Sequence, residues 1–279
     1  MLRIAVPNKG ALSESSVEML REAGYATRRD PKELTVSDPR NGVEFFYLRP
    51  RDIATYVGSG ALDVGFTGRD LLLDSRSSAV EVEALDFGAS TFRFAGPAGA
   101  FHDVSQLEGL RIATSYEGLV SDFLGRDGLS ASIVRLDGAV ESAIKLGVAD
   151  AIADVVETGS TLRKQGLEVF GPPILESSGV LIAARPEVPG LDTLRRRIQG
   201  VLVAHQYVLM DYDLPAALVD AAVAVTPGLE SPTVSPLRDR EWVAVRVMVP
   251  RRETNALMDE LYALGARAIL VTPIHAARI

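Results

Sequence analysis

The chain has 279 residues, with 29 Lys and Arg against 37 Asp and Glu, a net charge of −8, and no cysteine. Without a thiol it builds no disulfide scaffold, thiolate zinc site, iron–sulfur cluster or cysteine nucleophile. The acidic balance excludes a general nucleic-acid binder, because no global positive field attracts a phosphate backbone. Hydrophobic residues make up 47% and charged residues 24%, as in soluble globular proteins, and the length suits two or three domains. No run of about 18 apolar residues is present, so no membrane span is expected. The opening MLRIAVPNKG lacks the longer apolar stretch of a secretion signal, and a cytoplasmic location is expected.

The first half alternates short apolar runs with amphipathic stretches. Leu2 to Val6 reads as a buried strand. Ser13 to Ala23 reads as a helix closed by Gly24, which suits the left-handed position after a helix end. Val43 to Leu48 is a second strand, Arg51 to Ser59 a helix, and Leu62 to Gly68 a strand running into a loop. Such alternation predicts an open α/β sheet. The stretch 88–100, rich in Gly, Ser and Pro, reads as a crossover into a second α/β unit. There Leu110 to Ser115 opens like Leu2 to Val6, followed by a helix. Ser132 to Leu136 is a strand, Gly138 to Gly147 a helix, and Asp150 to Val156 a buried strand. Leu167 to Phe170 and Gly179 to Ala184 complete the unit.

Gly60 to Leu72 echoes Gly147 to Leu162, each with Gly-x-x-Asp, an apolar strand, Thr-Gly and a leucine. The echo fits either recurrent α/β grammar or two similar lobes facing each other across a cleft, where ligands commonly bind. After a basic helix, Thr193 to His205, the rhythm changes. Tyr207 to Asp213 is a strand, Pro215 to Val225 a helix, Ser231 to Leu237 a short Pro-flanked segment and Trp242 to Val249 a strand. Arg252 to Gly265 is an amphipathic helix and Ala266 to Thr272 the last strand. The order βαββαβ predicts a separate ferredoxin-like domain. The expected divisions are lobe I at 1–90 and 180–206, lobe II at 91–179, and the third domain at 207–279.

The sharpest segment is Asp150 to Leu162. A strand ends at Asp154, and Glu157-Thr158-Gly159-Ser160-Thr161 turns into a helix. Backbone N–H groups at such a helix start, with the hydroxyls of Thr158, Ser160 and Thr161, suit a phosphate. Asp154 stands where α/β folds place ligands, and a carboxylate there accepts hydrogen bonds from ribose hydroxyls. Ordinary helix capping explains the Thr and Ser residues equally well.

Glu141, Gly147, Ala149, Ile152, Asp154, Val155, Thr158, Gly159, Thr161 and Leu162 together match, without departure, the signature of the ATP phosphoribosyltransferase family. The opening LRIAVPNKGAL is similar to that family's start, and the third domain resembles the regulatory domain of its long form. The resemblance spans essentially the whole chain. It implies two periplasmic-binding-protein-like α/β lobes forming a cleft, plus the ferredoxin-like domain. It implies attack of adenine N1 of ATP on C1 of phosphoribosyl pyrophosphate, the first step of histidine biosynthesis, with Mg2+ carried mainly by substrate phosphates and its protein ligands unknown. It further implies feedback inhibition by histidine and a homo-oligomer, a dimer, a hexamer or both.

Residue roles follow from the same resemblance. Thr158, Gly159, Ser160 and Thr161 hold the ribose 5-phosphate, and Asp154 the sugar hydroxyls, with Glu141 assisting. Lys9 supplies charge to phosphates, Lys9, Gly10, Arg49, Asp70, Leu71 and Ser90 face ATP, and Arg51 is a weaker cationic candidate. Tyr116 packs either at the cleft or in the core. Asp213, Leu229, Ser231, Thr233 and Ala268 match the histidine-binding stretches. His102 reads as a surface residue, and His205 and His275 show no metal spacing. The competing expectation is a catalytically silent histidine sensor or a solute-binding protein.

Overall fold

The computed structural model describes residues 1–30, 32–156 and 159–278. In chain order the elements of the first two sheets and their helices are β1 (Leu2–Pro7), α1 (Ala11–Glu22), β2 (Thr35–Asp38), β3 (Val43–Leu48), α2 (Pro50–Gly58), β4 (Val64–Gly68), α3 (Arg69–Ser75) and β5 (Val80–Ala84). They continue with β6 (Ser90–Pro97), β7 (Arg111–Thr114), α4 (Glu117–Arg126), β8 (Ser132–Arg135), β9 (Ala151–Val156), α5 (Ser160–Lys164), β10 (Leu167–Ser177) and β11 (Gly179–Ala183). One compact unit comprises residues Met1–Glu18 and Tyr25–Leu191.

Two sheets share this unit, ordered β2-β3-β1-β4-β11-β5 and β10-β6-β9-β7-β8. The first holds a parallel triplet, β3-β1-β4, flanked by antiparallel β11. The second holds a parallel triplet, β8-β7-β9, flanked by antiparallel β6. Ile4, Ala5 and Val6 of β1 and Ile112 and Ala113 of β7 are buried, as central parallel strands covered on both faces require. The chain passes between the sheets twice, from β5 to β6 and from β10 to β11. The two passages are bonded together: Leu85 N–H donates to Gly179 O and Gly179 N–H to Phe87 O, both at 2.8 Å.

Two expectations are corrected. The stretch 88–100 does cross between sheets, but Ser90–Pro97 is itself an eight-residue strand inside the second sheet. Phe92 and Phe94 bury one of its faces, a period-two signal that the flanking Gly and Pro obscure. Gly138 to Gly147 is no α-helix. Only Val140–Ser142 forms a 3-10 turn, because Gly138 (φ 152°) and Ala139 (φ 49°) leave the helical region at its start.

The second compact unit comprises Met19–Gly24 and Asp192–Ile279. The segment 180–206, expected in lobe I, is thus divided between the two units. The second unit contains α6 (Leu191–Gln206) from its second residue onward, then β12 (Tyr207–Pro215), α7 (Val219–Val225), β13 (Thr233–Pro236), β14 (Trp242–Pro250), α8 (Thr254–Leu264) and β15 (Arg267–Pro273). The sheet is antiparallel in the order β13-β14-β12-β15, on the predicted βαββαβ path. Val208, Met210, Tyr212 and Leu214 of β12 bury alternate side chains in one core with Ala222 of α7 and Leu261 of α8. No helix among the described residues is long and apolar enough to cross a membrane.

Candidate active site

Parallel strands deliver their following loops to one edge of the sheet, and ligands of open α/β folds collect there. In the first sheet the carboxyl ends of β3, β1 and β4 are neighbours and carry Arg49, Lys9 and Asp70. Asn8 N–H donates to Leu48 O at 2.8 Å, which ties the Lys9 loop beside Arg49. Lys9, Gly10 and Arg49 are exposed. Gly10 has φ +80°, a conformation open to glycine, and lets the chain turn from β1 into α1. Leu71 is buried beside Asp70 at the start of α3.

Asp70 is a buried carboxylate, 8% exposed. Its Oδ1 accepts the Ser177 hydroxyl at 2.9 Å, while Ser177 Oγ accepts Asp70 N–H at 3.0 Å. Ser177 lies opposite Ser90 in the β10–β6 pair. Asp70 and Ser90 are therefore linked through Ser177, although 20 positions separate them in the chain. Asp70 folds over Gly68, where a Cβ would stand 2.2 Å from its Oδ1.

In the second sheet Asp154 lies near the carboxyl end of β9, half-buried. Its Oδ1 accepts the N–H of Val155 at 2.8 Å. Burial pushes its carboxyl above the ordinary carboxylate range, and the charge of Glu141 adds to that; the Val155 hydrogen bond and Arg51 oppose. Glu141 is thus brought to Asp154 by the Val140–Ser142 turn. Gly159 has φ +65° and precedes α5, whose first residues, Ser160 and Thr161, are exposed. Thr158 lies outside the described residues.

Tyr116 precedes α4 and packs against the core of the second sheet. Its ring meets Phe92 edge-on at 4.9 Å, and the Arg51 guanidinium carbon lies 4.7 Å from the ring centre. Burial, then the neighbouring Asp70 carboxylate, keeps its hydroxyl protonated well past the ordinary phenol range. Arg51 in turn donates from Nη1 to Asp74 Oδ2 at 2.8 Å. A cavity of about 400 Å³ opens at this junction, lined among others by Arg51, Leu71, Ser115 and Arg135. Sequence reasoning missed Ser177 and Asp74. Ser177 carried no local signal, its partner being 107 positions away. Asp74 was findable, since it stands four residues after Asp70 on the same helix face.

In the second unit Leu229, Ser231 and Thr233 share a cavity of about 350 Å³ with Arg246, Met248 and Arg278. Asp213 and Ala268 do not line it. They meet where β15 slips register against β12, between the pairs Asp211–Leu270 and Asp213–Arg267. Ala268 adopts φ +49° there, a strained conformation for a residue with a Cβ. His102 is exposed, as read from sequence.

The model of the family described as "HisG: ATP phosphoribosyltransferase" matches residues 49–200, and that of the "HisG, C-terminal domain" matches 204–276. An ATP phosphoribosyltransferase of Paenarthrobacter aurescens is 65% identical over the full length of both chains, and one of Streptomyces avermitilis is 60% identical, also over both full lengths. A solved ATP phosphoribosyl transferase (HisG:HisZ) complex from Thermotoga maritima superposes with a TM-score of 0.62 at 28% identity. That match covers 71% of this chain and 96% of the other. The chain belongs to the ATP phosphoribosyltransferase family.

Proposed function

We propose that the carboxyl edges of the two parallel triplets form the active site of an ATP phosphoribosyltransferase, with ATP on the first sheet and phosphoribosyl pyrophosphate on the second. The enzyme is a transferase of the first step of histidine biosynthesis. Adenine N1 attacks C1 of the sugar; the N1–C1 bond forms, the C1–O bond breaks, and its electron pair leaves with pyrophosphate. The observation that carries the assignment of sides is the contrast in charge at the two strand ends. A buried carboxylate, Asp70, occupies the turn after β4, whereas hydroxyls and a glycine in the left-handed region open the turn before α5. The turn before α5 suits the sugar 5-phosphate, while the Asp70 carboxylate suits the nucleoside end of ATP, whose phosphates lie toward Lys9 and Arg49.

Asp154 accepts ribose hydroxyls, with Glu141 beside it, and the 158–161 turn holds the 5-phosphate. Lys9 and Arg49 offset phosphate charge. Ser90, Asp70 and Leu71 face the nucleotide. Catalysis is positioning plus charge stabilisation, since the substrate nitrogen is itself the nucleophile. Mg2+ arrives on the pyrophosphate. The described residues contain no cluster of three or more His, Asp or Glu that fits it. Histidine binds the second unit at the cavity that gathers Leu229, Ser231 and Thr233. The strained Ala268 beside Asp213 supports a functional role for the adjacent strand pair. The protein acts in the cytoplasm as a homo-oligomer.

The test is incubation with ATP, phosphoribosyl pyrophosphate and magnesium, with pyrophosphatase added and with histidine present or absent. A product with the absorbance of N1-substituted adenine is expected, formed more slowly with histidine. No such product would sink the active-site reading, and an unaltered rate with histidine would sink the regulatory one.

A further inference from the structure

We propose that Asp74 is a positioning residue of the nucleotide site, acting on Tyr116 and Asp70 through Arg51. The proposal rests on Asp70 being a nucleotide contact. Asp74 is one helical turn beyond Asp70 on α3, and its side chain is only 12% exposed. Both carboxylate oxygens are committed. Oδ1 accepts the N–H of Leu119 at 3.2 Å, capping the first turn of α4 from outside the helix. Oδ2 accepts Arg51 Nη1 at 2.8 Å.

The second bond has a consequence that capping alone does not. It fixes the Arg51 guanidinium over the face of Tyr116, 4.7 Å from the ring centre, in a cation–π contact. Phe92 holds the same ring edge-on at 4.9 Å. Between these neighbours the Tyr116 hydroxyl stands beside Asp70, whose other restraint is Ser177. Asp74, Arg51 and Asp70 come from the first sheet's elements, and Tyr116, Leu119 and Ser177 from the second's. From Arg51 onward the contacts cross between the two sheets' elements, to Tyr116, back to Asp70 and on to Ser177, and Asp74 holds the charged end.

A plain docking role is already filled by Arg76. It joins the same two helices through Asp122 at 2.6 Å and Gly118 O at 3.2 Å. It lines the same cavity and its charge faces Asp74, but none of its hydrogen bonds goes to Arg51, Tyr116 or Asp70. Arg76 thus supplies the control for a scaffold effect.

The experiment compares wild type, Asp74→Asn and Arg76→Gln by steady-state kinetics, ATP titration calorimetry and thermal midpoint. Asparagine keeps an oxygen for Leu119 N–H and loses the charge that holds Arg51. Asp74→Asn is expected to raise the KM and Kd for ATP about tenfold, the size of one lost charge-assisted contact, and the KM for phosphoribosyl pyrophosphate by a smaller factor, because Arg51 faces Asp154 only as a charge. Arg51→Gln reproduces this, and the double variant adds little to either single one. Arg76→Gln lowers the midpoint and leaves both KM values in place. The proposal is overturned if Asp74→Asn raises both KM values equally, leaves ATP binding unaltered, or merely matches Arg76→Gln. Wild type that fails to bind ATP overturns the site reading itself. Wild type that binds ATP beside an unaltered Asp74→Asn overturns the role of Asp74 alone.

Discussion

The two lobes start from the same scaffold and finish with opposite chemistry. Each central strand carries the run Leu-Arg-Ile-Ala, from Leu2 at the start of β1 and from Leu110, just before β7. In each, the arginine grips an aspartate just before the neighbouring parallel strand. Arg3 donates its backbone N–H and its guanidinium to Asp63, and Arg111 does the same to Asp150. Each arginine also reaches the carbonyl of a glycine with positive φ, Gly60 or Gly147. At the far end of the strands the likeness stops. After β4 the turn is filled by Asp70, and after β9 it opens at Gly159, Ser160 and Thr161. A duplicated frame thus ends in two different turns, and the divergence lies in the turns and not in the strands.

The largest expected effect breaks the comparison on the second lobe alone. Asp154→Ala should lower turnover about 100-fold or more, the scale of a lost positioning contact, while the thermal midpoint holds. Burial and Glu141 raise the Asp154 carboxyl, so its active, ionised form appears only as pH climbs past the ordinary carboxylate range. The acid limb of kcat/KM should therefore lie above that range in wild type and vanish from the residual activity of the variant. Unchanged turnover would remove Asp154 from the site.

An intermediate effect sharpens the comparison at its two glycines. Gly68 has φ −87°, which any residue adopts, so only contact forbids a side chain. An added Cβ meets Asp70 Oδ1 at 2.2 Å and must displace it. Gly68→Ala should cost about 1–3 kcal/mol of stability, as overpacking does, and weaken ATP binding with it. At Gly159 the limits are reversed. Space is available, with the flexible Arg163 Nη1 at 3.3 Å, but φ is +65°. Gly159→Ala should cost about 1–2 kcal/mol through backbone strain and raise the KM for phosphoribosyl pyrophosphate instead. Denaturant melts and the two KM values check both. The same substrate affected by both substitutions would mean the two turns do not serve different ligands.

What was legible in the chain follows the same line. The parallel strands stood out because burial on both faces demands continuous apolar runs, as in Leu2 to Val6. The Asp63 and Asp150 echo was visible because Gly-x-x-Asp is a contiguous pattern, whereas the arginines that clamp these aspartates lie 60 and 39 positions away. The β6 strand was hidden by Gly88 and Pro97 at its flanks, and the supposed helix at 138–147 had helical periodicity but a start set by Gly138 and Ala139. At the candidate site, Asp154 and the Gly159 turn were legible as one short segment, and Glu141 only through the family resemblance. The partnership of Asp70 with Ser177 was not, because it is made by tertiary folding across 107 residues.

The smallest expected effect tests whether the shared frame is equivalent in the two lobes. At Asp63 burial opposes ionisation, but hydrogen bonds from the Arg3 side chain and backbone outweigh it and hold the carboxyl low. At Asp150 the Arg111 hydrogen bonds do the same against little burial. A carboxyl whose folded pKa is depressed stabilises the protein above its unfolded pKa, and that contribution is lost as pH falls through the folded value. Asp63→Asn and Asp150→Asn should therefore each lower the thermal midpoint modestly at neutral pH, because both pairs are partly exposed. Each gap to wild type should close on acidification below the ordinary carboxylate range. Neither should alter a KM, since both clamps sit at the amino ends of their strands, away from the edge that carries the site. A gap in one variant and none in the other would mean that the frame, and not only its turns, has diverged.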